Sequence, residues 1–181
     1  MSEDHYRSLV RAVVFQQLSG VVANAIFNRF LALFPGEGFP TPDLVAEIDI
    51  EQMRSVGLSR QKAAYIHDLS AKVLDGSLGL TRLDDLDDDA VRAEITQVKG
   101  FGVWSADMFL IFAICRPDVW PSGDLGVRKG LAKLLGRDDM PAAETTEFAE
   151  RWRPHRSAAA WYMWRIFEDK TFEPASPVKS S

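Results

Sequence analysis

Apolar residues recur at three- and four-residue spacing along almost the whole chain, and no alternating apolar/polar run is long enough to predict a strand. His5 to Gln17 carries Leu9, Val10, Val13 and Val14 on one helical face. Ser19-Gly20 restarts the chain, and Val22, Ile26, Phe30 and Leu33 keep the same period until Pro35-Gly36. Thr41-Pro42-Asp43 reads as a helix start with proline in its first turn. A short helix over Glu51 to Val56 closes at Gly57, and Ser59 opens another that runs through Ala63, Ile66, Leu69 and Val73 to Asp75-Gly76. Asp84, Asp85, Asp87, Asp88 and Asp89 stand at the start of the next helix, where acids complement the dipole and face solvent. Leu125 to Leu135 is a helix ended by Gly136. A last long element begins at Thr145-Thr146, breaks at Pro154, and resumes from Ser157 through Trp161, Trp164 and Phe167. The expectation is an all-α protein with one helical domain over residues 1–172 and a flexible tail over 173–181.

Composition narrows the function classes. At 181 residues and 46% hydrophobic, the chain can bury a real core. No run approaches the roughly 18 apolar residues of a membrane span, and the start lacks a secretory pattern, so a cytoplasmic protein without membrane partners is expected. Cys115, the single cysteine, excludes an internal disulfide and a four-cysteine iron–sulfur site; its apolar setting, FLIFAIC, predicts a buried core position. The net charge of −5 argues against non-specific nucleic-acid binding over the whole surface, yet Lys99, Arg128, Lys129 and Lys133 gather in one region of the sequence. The histidines, His5, His67 and His155, lack metal-ligand spacing and read as surface or partly buried side chains; no catalytic metal is called for.

The stretch Gln97 to Gly130, which includes Lys99, Arg128 and Lys129, holds the candidate chemistry. Gly100 and Gly102 form a turn between a polar and an apolar helical run, a hairpin over about residues 88–115. Glycine there permits positive φ and close approach of a phosphate, to which a helix N-terminus offers bare N–H groups. Lys99 either adds a point charge to that phosphate or stays solvated, and Arg128 and Lys129 divide the same way. The loop 121–124, Pro121-Ser122-Gly123-Asp124, delivers one carboxylate. Asp124 can cap the following helix or serve chemistry, and the two roles can coexist.

QVKGFGVWSADMFLIF, DVWPSGDLGVRKG and RWRPHRSAAAWYMWRIF, with VVFQQLSGVVANAIFNRF and VGLSRQKAAYIHDLSAKVLDG, resemble the DNA-3-methyladenine glycosylase II family of helix-hairpin-helix (HhH-GPD) DNA glycosylases. The likeness covers about residues 5 to 168 and is closest to the compact members that lack an N-terminal β-containing domain. It implies a two-lobed helical fold with an active-site cleft between the lobes, acting as a monomer on double-stranded DNA that contains alkylated bases. It also implies Asp124 as the catalytic acid, Lys99, Gly100 and Gly102 as backbone-binding residues, and Trp104 and Trp164 as walls of the base pocket. Gln17 corresponds to the intercalating position, with Leu18 its neighbour; a junction glutamine satisfying backbone groups is the alternative. Gln16 reads as structural, and Trp120, Trp152 and Trp161 as packing. Arg156 matches a family arginine, either a buried salt bridge or a DNA contact. No cofactor is required, although hairpins of this type can hold a monovalent cation on carbonyl oxygens.

The implied reaction is hydrolysis of the N-glycosidic bond of 3-methyladenine, and of 7-methylguanine or ethenoadenine, after base flipping. Bifunctional relatives carry a lysine nucleophile two residues beyond the second hairpin glycine; Trp104 occupies that place, so a monofunctional enzyme without lyase activity is expected. A cationic alkylated purine is attracted to aromatic faces and leaves readily, so one mechanism serves recognition and reactivity. The alternatives are a non-catalytic helix-hairpin-helix binding module and a glycosylase for deaminated or oxidised bases. A binding module needs neither the acid loop nor the aromatic pair, and neutral lesions call for hydrogen-bonding pocket residues that are not evident.

Overall fold

The computed structural model describes residues 2–36 and 38–174, and among these every regular element is helical. The tail expected over residues 173–181 lies outside the described residues from 175 on. The chain divides into two compact units, the first ending at Phe109 and the second starting at Leu110.

The first unit contains α1 (Ser2–Phe15), α2 (Gly20–Leu31), α3 (Pro42–Glu47), α4 (Ile50–Ser55), α5 (Arg60–Leu74), a 3-10 turn (Leu80–Asp85), α6 (Asp88–Thr96) and most of α7 (Val103–Phe112). The stripe predicted for α1 is realised: Leu9, Val10, Val13 and Val14 are buried, as are Phe27 and Phe30 of α2 and Ile66 and Leu69 of α5. Caps fix the starts. Asp49 and Gln52 form a capping box on α4, and Ser59 Oγ accepts from the Lys62 amide at 3.2 Å on α5. Two expectations need correction here. Among the acidic cluster, Asp87 does cap α6, but Asp84 lies in the 3-10 turn and holds the ring of His5 at 3.0 Å. His5 is therefore buried, edge-on to Phe109, because a carboxylate satisfies a ring nitrogen that would otherwise demand water.

The second unit contains the end of α7, then α8 (Leu125–Leu134), α9 (Ala142–Ala149), a 3-10 turn (Glu150–Trp152) and α10 (Arg156–Glu168). Its core joins Val127 and Leu131 of α8 to Ala160 and Met163 of α10, with Trp120, Met140 and Ala149 around them. The helices α8 and α10 meet backbone to backbone: a Cβ on Gly130 would lie 2.0 Å from the Met163 carbonyl oxygen. Trp120 and Trp152 pack at 5.5 Å as expected, but Trp161 is 50% exposed. Ala160 and Met163 take the buried face of α10, and Trp161 is rotated about 100° from Ala160, toward solvent. Cys115 also departs from expectation. The stretch FLIFAIC does not stay helical; α7 ends at Phe112, and Cys115 turns with φ 61°, exposed, while the Arg116 amide bonds back to Leu110 at 2.9 Å.

Candidate active site

In the first unit, α6 and α7 form the hairpin. Arg92 of α6 donates from Nε to Asp107 of α7 at 2.8 Å and also pairs with Asp89, tying the two helices together. Burial raises the Asp107 carboxyl above the ordinary value, while the hydrogen bond and charge of Arg92 oppose that rise. The two glycines of the turn do different work. Gly100 has φ 84°, and a Cβ there would strike the Tyr65 ring at 2.1 Å. Gly102 has open space where its Cβ would point, so a phosphate can approach the first turn of α7, whose leading N–H groups have no intrahelical partner. Lys99 is exposed, but Asp68 accepts its backbone N–H at 2.9 Å and pairs with its ammonium at 3.3 Å. Trp104, on the same turn of α7, is 48% exposed.

Gln17 and Leu18 lie where α1 gives way to α2. Gln17 adopts φ 56° and is exposed, and Leu18 is 38% exposed. Gln16 has a structural role: its Nε2 donates to the Gly100 carbonyl at 3.1 Å.

In the second unit the Pro/Gly loop closes tightly, with the Asp124 amide bonding to Pro121 at 2.9 Å, and presents Asp124 as the N-cap of α8. Its Oδ1 accepts from the Val127 amide and from Trp164 Nε1, both at 2.8 Å. Capping and indole contact thus fall on one carboxylate oxygen and fix the rotamer. The side chain is 9% exposed, neither on open surface nor isolated in the core. Gly126 lets the indole come this close, since a Cβ there would lie 2.8 Å from Trp164 Cδ1. Phe112 stacks on the Trp164 ring at 5.6 Å and 29° while remaining 60% exposed. A carboxylate beside a pair of stacked aromatic rings can stabilise a positive sugar and receive a cationic, planar leaving group.

The HhH-GPD superfamily of base excision DNA repair proteins matches residues 10–154 of this sequence. The chain belongs to that superfamily. It is 35% identical over 179 residues to DNA-3-methyladenine glycosylase 1 of Schizosaccharomyces pombe, covering 98% of this chain and 78% of that protein. It is 32% identical to the DNA-3-methyladenine glycosylase of Saccharomyces cerevisiae, where it spans 62% of the relative's length. Among solved structures, the S. pombe 3-methyladenine DNA glycosylase in complex with abasic DNA superposes with a TM-score of 0.80 at 35% identity, over 89% of this chain and 79% of that one.

Within this HhH-GPD chain, the structure brings Asp124 and Trp164 together and sets Gly100 beside Gln16. Several cations whose role the sequence left open have partners within the second unit. Arg128 donates to the Met140 carbonyl at 2.8 Å and pairs with Asp139; Lys129 donates to the Asp138 carbonyl; Lys133 reaches Ile166 and Asp169 carbonyls at the end of α10. Arg156 forms salt bridges: its Nε lies 2.7 Å from Asp118 Oδ1, and its Nη1 lies 3.0 Å from Glu150 Oε1. Sequence reasoning missed Phe112, whose apolar run gave no sign of exposure, and Gly126, although Gly126 and Gly130 stand at the spacing of a close helix contact. Among the described residues, no cluster of three His, Cys, Asp or Glu side chains is arranged to hold a metal, and no helix is long and apolar enough to cross a membrane.

Proposed function

We propose that the protein is a monofunctional DNA glycosylase of base excision repair, acting on double-stranded DNA and hydrolysing the N-glycosidic bond of N-alkylated purines, 3-methyladenine foremost. The observation that carries this reading is the Asp124 carboxylate, held at 2.8 Å by both the α8 backbone and the Trp164 indole. With the nucleotide extruded, departure of a cationic purine leaves positive charge on the deoxyribose, which the carboxylate stabilises while orienting the attacking water. The electron-rich faces of Trp164 and Phe112 favour the cationic ring by about 0.5–2 kcal/mol over a neutral base of the same shape. Trp104, half-exposed on the first turn of α7, is the other aromatic residue that the family resemblance assigns to the base. The first turn of α7 beyond Gly102 binds a DNA phosphate through backbone N–H groups, and the Gln17-Leu18 turn fills the gap that the extruded base leaves. No cofactor takes part in the scheme; a monovalent cation on the hairpin carbonyls is the one ion the family resemblance suggests.

The deciding experiment is Asp124→Asn, assayed by mass-spectrometric identification of the bases released from methylated duplex DNA. The isosteric amide keeps a capping oxygen, so folding and DNA binding persist while release of 3-methyladenine is abolished. Full activity in that variant removes Asp124 from the chemistry. Release of deaminated or oxidised bases in place of methylated ones reassigns the substrate.

A further inference from the structure

Extruding a stacked nucleotide costs a few kcal/mol, so whatever enters the helix must be backed by something that does not yield. The turn that carries Gln17 and Leu18 is a poor candidate by itself. It follows the end of α1, it holds a non-glycine residue at φ 56°, and Leu18, like Val21 in the first turn of α2, is exposed. The final carbonyls of any helix also lack intrahelical partners. Here they have one. Lys62 of α5 places its ammonium 2.7 Å from both the Val14 and the Gln16 carbonyl oxygens, bridging the last turn of α1 to the residue just before Gln17. Farther along α5, the Tyr65 ring fills the space beneath Gly100, and Asp68 takes the Lys99 amide and ammonium. Residues 62, 65 and 68 recur at three-residue spacing, so neighbouring stations on one helix grip the α1–α2 turn and the hairpin. The Gln16 side chain, bonded to the Gly100 carbonyl, closes the loop between the two gripped segments.

We propose that α5 is a rigid bracket between the intercalating turn and the phosphate-binding hairpin, and that Lys62 is the positioning residue for nucleotide extrusion. The inference rests on the glycosylase reading and adds to it a residue that touches neither DNA nor base. The hairpin anchors the strand through a phosphate, the turn pushes into the stack, and the bracket fixes the distance between them. Without the ammonium, the turn can retreat when it meets the resistance of a stacked pair.

The test compares wild type with Lys62→Met, which keeps the length and apolar stem of the side chain and removes its hydrogen bonds. The substrate is an oligonucleotide duplex whose single adenine is methylated at N3 and stands opposite either thymine or a mismatched cytosine; single-turnover release of the base is measured. Extrusion is easier from the mismatch. The expected result is a loss of about 10-fold or more opposite thymine, from two charge-assisted hydrogen bonds, shrinking to about 2-fold or less opposite cytosine. Lys62→Arg, which retains donors on a similar stem, restores most of the loss. Gln16→Ala, which severs the other side of the bracket, reproduces the dependence on the opposing base and keeps the test decisive if Lys62→Met fails to fold. An equal loss on both duplexes, or no loss, overturns the bracket while leaving the enzyme assignment intact. Wild-type protein that releases no 3-methyladenine from either duplex overturns the glycosylase reading and the bracket with it.

Discussion

Two glycines four residues apart on α8 should fail in different ways when replaced by alanine, and the difference separates what builds the site from what builds the fold. At Gly130 the added Cβ would stand 2.0 Å from the Met163 carbonyl oxygen, against ordinary contact from 3.4 Å. A backbone atom cannot swing aside, so α8 and α10 must part by about 1.4 Å along that line. Overpacking of this kind costs about 1–3 kcal/mol, and a gain of up to about 1 kcal/mol in helix propensity offsets part of it. A net destabilisation near 2 kcal/mol lowers Tm by about 4–8 °C. At Gly126 the new Cβ would meet Trp164 Cδ1 at 2.8 Å and Asp124 Oδ1 at 3.2 Å, and the indole can move. A shift of about 0.6 Å restores contact but stretches the 2.8 Å bond from Trp164 Nε1 to Asp124 beyond good hydrogen-bond length. Hydrogen bonds to charged groups are worth about 1.5–3 kcal/mol, so base release should slow by about 10-fold or more. The gain in helix propensity leaves a net stability loss of about 0.5–2 kcal/mol, a Tm drop of about 1–8 °C, so the rate is the distinguishing readout. Differential scanning fluorimetry and single-turnover release of 3-methyladenine read the two effects. Gly126→Ala at wild-type rate, or Gly130→Ala at wild-type Tm, refutes the packing argument for that position.

Phe112→Ala removes the ring stacked on Trp164; with that ring 60% exposed, Tm should change little, while release of cationic purines falls severalfold, and an unchanged rate would show that the stack is idle. The pH dependence of stability should carry the mark of Asp118. Burial disfavours its charge, but the hydrogen bonds and charge of Arg156, with Arg153 beside it, more than offset that and hold the carboxyl below its ordinary 3.8. The folded state then binds fewer protons than the unfolded one, so this stability is complete above about pH 4 and is lost as pH falls through the lower folded value. Asp118→Asn should flatten the acid limb of a Tm-against-pH curve, and an unaltered limb would count against the pair. Borohydride treatment during turnover should trap no covalent protein–DNA complex, because Trp104 cannot form a Schiff base; a trapped species on a gel would reverse the monofunctional assignment.

Periodicity exposed the helices because burial leaves a 3.6-residue signature; α5 and α8 were legible down to their N-caps, Ser59 and Asp124, while α1, read over His5 to Gln17, runs from Ser2 to Phe15. Asp124 was legible as the cap of α8, since a Pro/Gly loop ending in a lone acid is a local pattern, whereas its chemical role came from the family resemblance. Partners distant in sequence were not. Asp124 meets Trp164 40 residues away, Lys62 meets Gln16 at a separation of 46, and Arg156 meets Asp118 at 38. Nothing local in either segment specifies such pairs. Hydrophobicity misled at Cys115 and Phe112, because an apolar run does not reveal where the helix stops. There a non-glycine residue takes the left-handed turn that sequence reading assigns to glycine.

The fate of the basic residues bears on how an acidic protein handles a polyanion. The cations that looked available in the sequence, Arg128, Lys129, Lys133 and Arg156, are spent on carbonyls and carboxylates of the second unit, where they brace α8 and α10. Lys99 shares its charge with Asp68. On the proposed reading, phosphate contact would rest more on the backbone N–H groups at the start of α7 than on these side chains, and its salt dependence would be shallow. Weak holding of undamaged DNA is the expected consequence of the proposed arrangement and suits its chemistry. Positive charge on the lesion supplies both the attraction to aromatic rings and the weakness of the bond. A surface crowded with free lysines and arginines would raise the affinity for every normal site while repelling the cationic base that the proposed pocket would receive.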